Sequence, residues 1–148
     1  MMASNFEVAR KAMIDSQIRP NKVIDERVIE AFAAIPREAF VPRALRDVAY
    51  VDEDLSLSGG RFIIEAMVMA RLLQALSLKP ESNVLLIGAG TGYSAALLSH
   101  LCASVIAIDN RGAAVEKAQE ILSQMEIGNV AVLKGKLTEG YPGEGPYD

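Results

Sequence analysis

The sequence contains a single cysteine and a single histidine, which limits the chemistry available to it. Cys102 has no second cysteine to pair with, so no intrachain disulfide forms, and the chain is compatible with a reducing compartment. Cys102 lies in an apolar stretch, where a packed thiol is a commoner role than a nucleophile. His100 follows a predicted helix, and we expect it to be a surface or capping residue rather than a catalytic base.

Long hydrophobic runs and a positive charge excess are also missing. No segment reaches the ~20 apolar residues of a membrane span, and residues 1–10 lack the apolar core of a signal peptide. The net charge of −4 gives no sign of the basic face that is typical of nucleic-acid-binding proteins. We therefore expect a cytoplasmic protein that has neither a membrane nor a nucleic acid among its partners.

What is present is enough apolar sequence for a buried core, and residues 1–60 predict helices and loops. Ser4 and Glu7 have the spacing of a helix-capping box. A second amphipathic segment carries apolar residues at helical intervals, at Ile24, Val28, Ile29 and Phe32. The acidic triplet Asp52–Asp54 favours a solvated loop, with metal binding as the rarer alternative. We predict a helical N-terminal extension over residues 1–60.

From residue 61 the pattern changes to α/β. Residues 61–78 predict a helix whose apolar stripe is Ile64, Met67, Val68, Leu72, Ala75 and Leu76. Three short apolar runs then alternate with two helices and predict strands near residues 83–88, 104–109 and 129–134. This rhythm is typical of a parallel sheet with right-handed crossovers. We therefore predict that residues 61–148 form a partial Rossmann-like domain, the N-terminal half of a doubly wound sheet.

A glycine-rich loop follows the first predicted strand. Glycine permits positive φ and close approach of a ligand, and open parallel sheets bind ligands at the carboxyl ends of their strands. Asp109 ends the next strand, where a carboxylate can accept hydrogen bonds from both ribose hydroxyls of an adenosine. Tyr93 replaces the third glycine of the dinucleotide fingerprint, which favours S-adenosylmethionine (SAM) over NAD. Another nucleotide and a purely structural turn are the alternatives. The loop consists of Gly88, Ala89, Gly90, Thr91 and Gly92.

Several phrases of the chain resemble the protein-L-isoaspartate O-methyltransferase family, and the resemblance covers nearly the whole sequence. The most specific phrase runs from Pro36 to Pro42. The others are Ser16–Arg19, Asp25–Val28, Ala49–Tyr50, Tyr93–Ala96 and Gly143–Asp148. The resemblance implies a class I methyltransferase that transfers the methyl group of SAM to the α-carboxyl of L-isoaspartyl residues. The implied cofactor is SAM, and the implied partners are damaged proteins or peptides.

The chain departs from the family's pattern at the substrate motif and around the cofactor. The threonine and serine whose hydroxyls help to hold the substrate carboxylate correspond here to Phe62 and Ile64, so no catalytic residue is assigned. The usual acid of the first strand is Leu86. Arg61 or Lys136 is a candidate for binding an anionic substrate, a surface cation being the commoner role. The implied cofactor-binding residues are Gly88, Ala89, Gly90, Thr91, Gly92, Tyr93, Asp109, Asn110, Gly135 and Lys136.

Three functional hypotheses follow. The first is an isoaspartyl methyltransferase, the second a SAM-dependent methyltransferase with another acceptor, and the third a non-catalytic SAM-binding or assembly module. Phe62 and Ile64 favour the last two, whereas the glycine loop and Asp109 favour SAM binding. In the family's sheet the strand at residues 84–87 is central. With three strands it is an edge that seeks a partner, and we expect association with a second copy there.

Overall fold

The computed structural model describes residues 4–148, which form two compact units divided between Ser77 and Leu78. The first unit is helical, and the second is an α/β sheet. The sequence prediction drew its boundary at residue 60 and placed the following helix with the sheet. In the structure that helix, Ala66–Leu76 (α3), packs against Glu26–Ala34 (α2) within the first unit.

The first helix, Asn5–Met13 (α1), begins with the predicted capping box. The Ser4 hydroxyl accepts a hydrogen bond from the Glu7 backbone N–H at 3.2 Å, and the Glu7 carboxylate accepts one from the Ser4 N–H at 2.9 Å. These bonds satisfy two backbone donors that a helix start leaves without partners. A π-helical turn, Ile14–Ile18, and a 3₁₀ turn, Arg19–Asn21, continue the chain.

The second helix is capped by Asp25, whose carboxylate accepts from the Arg27 N–H at 2.9 Å. Its buried side consists of Val28, Ile29, Ala31 and Phe32, which confirms most of the predicted stripe. Ile24 is the exception, because it precedes the cap and its side chain is 82% exposed. The cap residue starts the helix after Ile24, so Ile24 cannot share the helical face.

The linker before α2 is held by the side chain of Gln74 in α3. The Gln74 carbonyl oxygen accepts from the backbone N–H groups of Ile24 at 2.8 Å and Asp25 at 3.0 Å. The Gln74 amide nitrogen donates to the backbone oxygen of Lys22 at 3.0 Å. One side chain therefore satisfies three backbone groups at the entry to α2.

The predicted helix over residues 61–78 is wrong at its start. Residues Phe62–Ile63 (β2) instead pair antiparallel with Leu55–Ser56 (β1). The Leu57 N–H donates to the Arg61 oxygen at 2.7 Å, and the Glu65 N–H donates to the Asp54 carboxylate at 2.8 Å. These contacts hold residues 61–65 in an extended conformation, so the helix starts five residues later than predicted.

The predicted apolar stripe of α3 is also corrected. The buried residues of this helix are Ala66, Ala70 and Leu73. Leu72 and Leu76, which the stripe included, are 54% and 56% exposed. The buried face of α3 therefore consists of two alanines and one leucine, none of which belongs to the predicted stripe.

The second unit confirms the predicted parallel α/β sheet. Its strands are Asn83–Ile87 (β3), Ser104–Asp109 (β4) and Val130–Lys134 (β5), in the order β3-β4-β5. The crossovers contain Tyr93–Ser99 (α4) and Gly112–Gln124 (α5). The central strand β4 is the most deeply buried, with Val105, Ala107, Ile108 and Asp109 at 1% exposure or less.

The strand β3 pairs with β4 on one side only, among the residues that the structure describes. At the start of its other side, the Asn83 N–H donates to the Asp148 carboxylate, and the Asp148 N–H donates to the Asn83 oxygen, both at 2.8 Å. Ile87, at the other end of the strand, is 50% exposed. The expected pairing of this edge with a second copy stays a prediction.

The side chains that could act as a nucleophile, a base or metal ligands outside the glycine loop have structural or surface positions. Cys102 is 7% exposed and its sulfur lies 3.2 Å from the Leu98 oxygen, which confirms a packed thiol. His100 is the exposed C-cap of α4, as predicted. Asp52–Asp54 form an exposed loop, and within residues 4–148 no group of side chains is suited to hold a metal ion.

Among residues 4–148, none of the helices combines the length and the apolar character that crossing a membrane requires. The N-terminal stretch judged unlike a signal peptide includes residues 1–3, which lie outside that range.

Candidate functional site

The glycine loop lies at the carboxyl end of β3, where the sequence places it. Gly88, Gly90 and Gly92 all have positive φ, at +87°, +57° and +99°. The N–H groups of Gly88 and Ala89 both donate to the backbone oxygen of Ile108, at 2.8 and 2.9 Å. The loop therefore crosses from the end of β3 to the end of β4 and is bonded there.

The three glycines have different surroundings. A Cβ atom added to Gly88 or Gly90 would meet no atom within 4 Å, so open space lies beside this part of the loop. A Cβ atom on Gly92 would lie 3.2 Å from the Cβ of Ala118 in α5. The first two glycines thus leave room for a ligand, whereas Gly92 allows the loop to pack against a helix.

Asp109 connects the loop to the ends of the neighbouring strands. Its side chain is fully buried, and its two carboxylate oxygens accept from the N–H groups of Gly90 at 2.9 Å and Arg111 at 3.0 Å. Its backbone oxygen accepts from the Gly135 N–H at 3.0 Å. The structure thus brings together Gly90, Asp109 and Gly135, three of the residues predicted from the sequence.

The other predicted cofactor residues range from exposed to buried. Asn110 is exposed directly after β4. The Thr91 hydroxyl is buried and has no hydrogen-bond partner in the part of the chain described. Tyr93 is 3% exposed, so its side chain packs in the interior of the unit. The Lys136 side chain is 78% exposed and pairs with Glu139 at 3.6 Å, which agrees with the surface-cation alternative.

The predicted substrate stretch lies in the first unit. Phe62 is 58% exposed on the β1–β2 hairpin, whereas Ile64 is partly buried. The Ile64 backbone oxygen accepts from the guanidinium of Arg37 at 3.1 Å, and the same guanidinium donates to the Ala49 oxygen at 2.6 Å. Arg37 is fully buried. It therefore holds the backbone at one of the two positions that correspond to the family's hydroxyls.

A polar network continues from Arg37. The backbone N–H of Arg37 donates to the Tyr50 hydroxyl at 3.1 Å, and that hydroxyl donates to the Glu38 carboxylate. Glu38 also pairs with Arg10 at 3.7 Å. From the sequence, Arg37 and Glu38 are predicted only as parts of the family motif. The signal that could have indicated this network is a charged pair inside an apolar segment between two prolines.

The open space beside Gly88 and Gly90 and the polar groups after β4 fit an adenosine-containing ligand. A ligand beside the two glycines can approach the backbone closely because no side chain intervenes. Asn110 offers both a donor and an acceptor to hydroxyl groups. The arrangement therefore offers open space for the ligand and polar groups for its hydroxyls.

The family model of protein-L-isoaspartate(D-aspartate) O-methyltransferase (PCMT) matches residues 8–148. This chain belongs to that family. The PCMT-family protein-L-isoaspartate O-methyltransferase 1 of Rhodopseudomonas palustris is 39% identical over 146 residues, covering 99% of this chain and 60% of the relative. The corresponding protein of Methanoculleus marisnigri is 38% identical over 139 residues, covering 94% and 63%. The chain thus spans about three fifths of the length of these curated relatives.

Solved structures confirm the PCMT fold. A protein-L-isoaspartate O-methyltransferase with 27% identity superposes with a TM-score of 0.84 and covers 94% of this chain and 46% of the solved chain. A Plasmodium falciparum protein solved with S-adenosyl-L-homocysteine has a TM-score of 0.68 at 18% identity, covering 88% of this chain and 63% of its own, and agrees in fold. The predicted α/β class with a helical N-terminal extension is therefore confirmed.

Proposed function

We propose that this chain binds SAM and takes part in methylating the carboxylates of L-isoaspartyl residues in damaged proteins. The observation that carries the proposal is the loop Gly88–Gly92, which is bonded to the end of β4 beside open space. It occurs in a chain that belongs to the PCMT family. Family membership gives the substrate class, and the loop gives a place for the cofactor.

The residues proposed to hold SAM surround the ends of β3, β4 and β5. They are Gly88, Ala89, Gly90, Thr91, Gly92, Tyr93, Asp109, Asn110, Gly135 and Lys136. Bound SAM supplies an electrophilic methyl group on its sulfonium. The acceptor carboxylate is already ionised near neutral pH, so the protein's task is to hold and orient the two groups.

A second candidate is a methyltransferase with a different acceptor. Phe62 and Ile64 have no hydroxyl to donate to a carboxylate, and a buried carboxylate that loses such bonds is less stable by about 1–3 kcal/mol for each. The exposed ring of Phe62 favours an apolar group on the acceptor instead. A non-catalytic SAM-binding module is the third possibility.

Two measurements distinguish the three candidate functions. The first is calorimetry with S-adenosyl-L-homocysteine, and the second is transfer of labelled methyl from SAM to an isoaspartyl peptide. We expect calorimetry to detect binding and the peptide to be labelled slowly. Binding without labelling of the peptide, but with labelling of another carboxylate, supports the second candidate. Binding without any transfer supports the third. An intact protein that does not bind the ligand contradicts the SAM proposal itself.

The double substitution Phe62→Thr and Ile64→Ser is expected to raise labelling of the isoaspartyl peptide about tenfold or more, because each hydroxyl restores a hydrogen bond to the carboxylate. The matched control is Leu72→Thr with Leu76→Ser, two exposed apolar residues of α3. The control should leave labelling unchanged. Equal labelling by both double variants and the native chain would show that residues 62 and 64 do not contact the acceptor.

We also propose that the chain acts in the cytoplasm and self-associates through the outer edge of β3. Support for the association comes from the half-exposed Ile87 at the end of this strand and from its pairing with β4 alone among the strands of residues 4–148. Sedimentation velocity at several concentrations tests it. A native monomer at every concentration contradicts the proposal, whereas a dimer that Ile87→Lys dissociates supports it.

A further inference from the structure

The peptide unit between Ile64 and Glu65 is held from both sides within the first unit. Its carbonyl oxygen accepts from the buried Arg37 guanidinium at 3.1 Å, and its N–H donates to the Asp54 carboxylate at 2.8 Å. The C=O and N–H of a trans peptide unit point in opposite directions, so Arg37 and Asp54 lie on opposite sides of the chain. Because the unit is planar, the two bonds together restrict its rotation about the backbone bonds that flank it.

Asp54 is the member of the exposed acidic loop that has a fixed partner. Its hydrogen bond joins residues 11 apart in the sequence and connects the loop to the junction between β2 and α3. For the neighbouring carboxylates of Asp52 and Glu53, the structure shows no partner among residues 4–148. The loop therefore contains one acid with a defined contact and two that face solvent.

The same bond replaces a cap that α3 lacks. Glu65 is the N-cap of this helix, and its own side chain makes no capping bond. In a capping box, an acid at the third helical position accepts a hydrogen bond from the N-cap N–H, but that position is Val68 here. Asp54 supplies the acceptor from outside the helix. A capping role alone would add stability and would have no effect on a substrate.

The extended stretch before this peptide unit has one buried and one accessible face. Ile63 is 6% exposed, whereas Phe62 is 58% exposed. Side chains two residues apart lie on the same face of an extended chain, so Ile64 shares the face of Phe62. These two residues correspond to the hydroxyl positions of the family's substrate motif. The orientation of the peptide unit after Ile64 therefore fixes the end of the face on which the acceptor is proposed to bind.

We propose that Asp54 is a positioning residue for the methyl acceptor: together with Arg37 it fixes the Ile64–Glu65 peptide unit, so that Phe62 and Ile64 present one ordered face. This inference rests on the proposed function. Asp54 acts through the backbone and does not itself touch the acceptor. A chain in which the peptide unit rotates presents the ordered face for only part of the time, and its apparent affinity for the acceptor falls by that fraction.

The test measures transfer of labelled methyl from SAM to an isoaspartyl peptide by native protein, Asp54→Ala and Asp54→Asn. We expect Asp54→Ala to raise KM for the peptide about three- to tenfold, the equivalent of one hydrogen bond. Its kcat should be unchanged, because the lost interaction acts on binding alone. Asp54→Asn keeps an acceptor oxygen and should restore most of the native affinity for the peptide. The affinity for S-adenosyl-L-homocysteine should be the same in all three proteins.

The matched control is Asp52→Ala, which removes the same charge from the same exposed loop. It should keep the native KM. An Asp54→Ala variant with the native KM overturns the inference even if it unfolds more easily, because that result leaves only the capping role. An equal rise in KM for Asp52→Ala also overturns it, since the effect is then one of charge.

Amide hydrogen exchange of the ligand-free protein supplies a readout that needs no substrate. We expect the Glu65 N–H to exchange about tenfold faster in Asp54→Ala than in native protein or Asp52→Ala. Equal exchange in Asp54→Ala and native protein overturns the inference, while the proposed function stands. If native protein transfers no methyl to the peptide although the exchange result is as expected, the proposed function fails and the acceptor role of Asp54 fails with it.

Discussion

Replacing Arg37 with methionine is expected to lower the free energy of unfolding by about 2–5 kcal/mol. The fully buried guanidinium donates to the backbone oxygens of Ala49 and Ile64. Methionine fills a similar length but donates nothing, so two carbonyl groups lose their charged partner at about 1–3 kcal/mol each. Urea unfolding followed by circular dichroism measures the change.

The control for this experiment is Arg43→Met, since Arg43 is an exposed arginine in the same region of the first unit. Surface substitutions of this kind change stability by about 0.5 kcal/mol or less. The variant Arg37→Lys should lie between the two, because an ammonium group reaches one carbonyl but lacks the planar fork of the guanidinium. If Arg37→Met unfolds at the same urea concentration as Arg43→Met, the two hydrogen bonds contribute nothing to stability.

Replacing Gly92 with alanine is expected to cost about 2–4 kcal/mol of stability. Two effects add at this position. Its φ of +99° is unfavourable for any residue with a Cβ atom. That Cβ atom would also lie 3.2 Å from Ala118 Cβ and 3.6 Å from Leu122 Cδ1, both on α5. Thermal unfolding of the variant reports the combined cost.

Gly128→Ala is the matched substitution, because this glycine has no positive φ and a Cβ atom there meets nothing within 4 Å. It should be neutral or slightly stabilising, since alanine restricts the unfolded chain. A smaller loss is expected for Gly88→Ala, where the φ of +87° is strained but the space is open. Equal stability of the variants at residues 92 and 128 would contradict the packing role of Gly92.

The strands of the second unit could be predicted from the sequence because each is a short, continuous apolar run of the kind found in parallel sheets. The three predicted runs agree with β3, β4 and β5 to within one residue at each end, although only β4 is buried along most of its length. The start of α3 could not be predicted in this way. Residues 61–65 fit a helical period equally well, and the contacts that make them extended come from Asp54 and Leu57.

The candidate site also has some features that could be predicted from the sequence and others that could not. The glycine loop and Asp109 have a recognisable spacing, because the conformation of the turn demands glycine wherever φ is positive. The partners of Asp109 have no such mark, since they are backbone N–H groups that any residue would supply. Arg37 was not predicted as a buried residue because arginine is exposed in most proteins. Its burial depends on two carbonyl groups, one of them 27 residues further along the chain.

The three hydrogen bonds of Gln74 have a consequence for the order of events during synthesis. They join residue 74 to a linker that lies 49 to 52 positions earlier in the chain. On a ribosome, the linker is therefore made long before its partner and must wait for it with its backbone bonded to water. Helix α2 can form early from its own cap at Asp25, but the path that leads into it becomes fixed only once α3 has emerged.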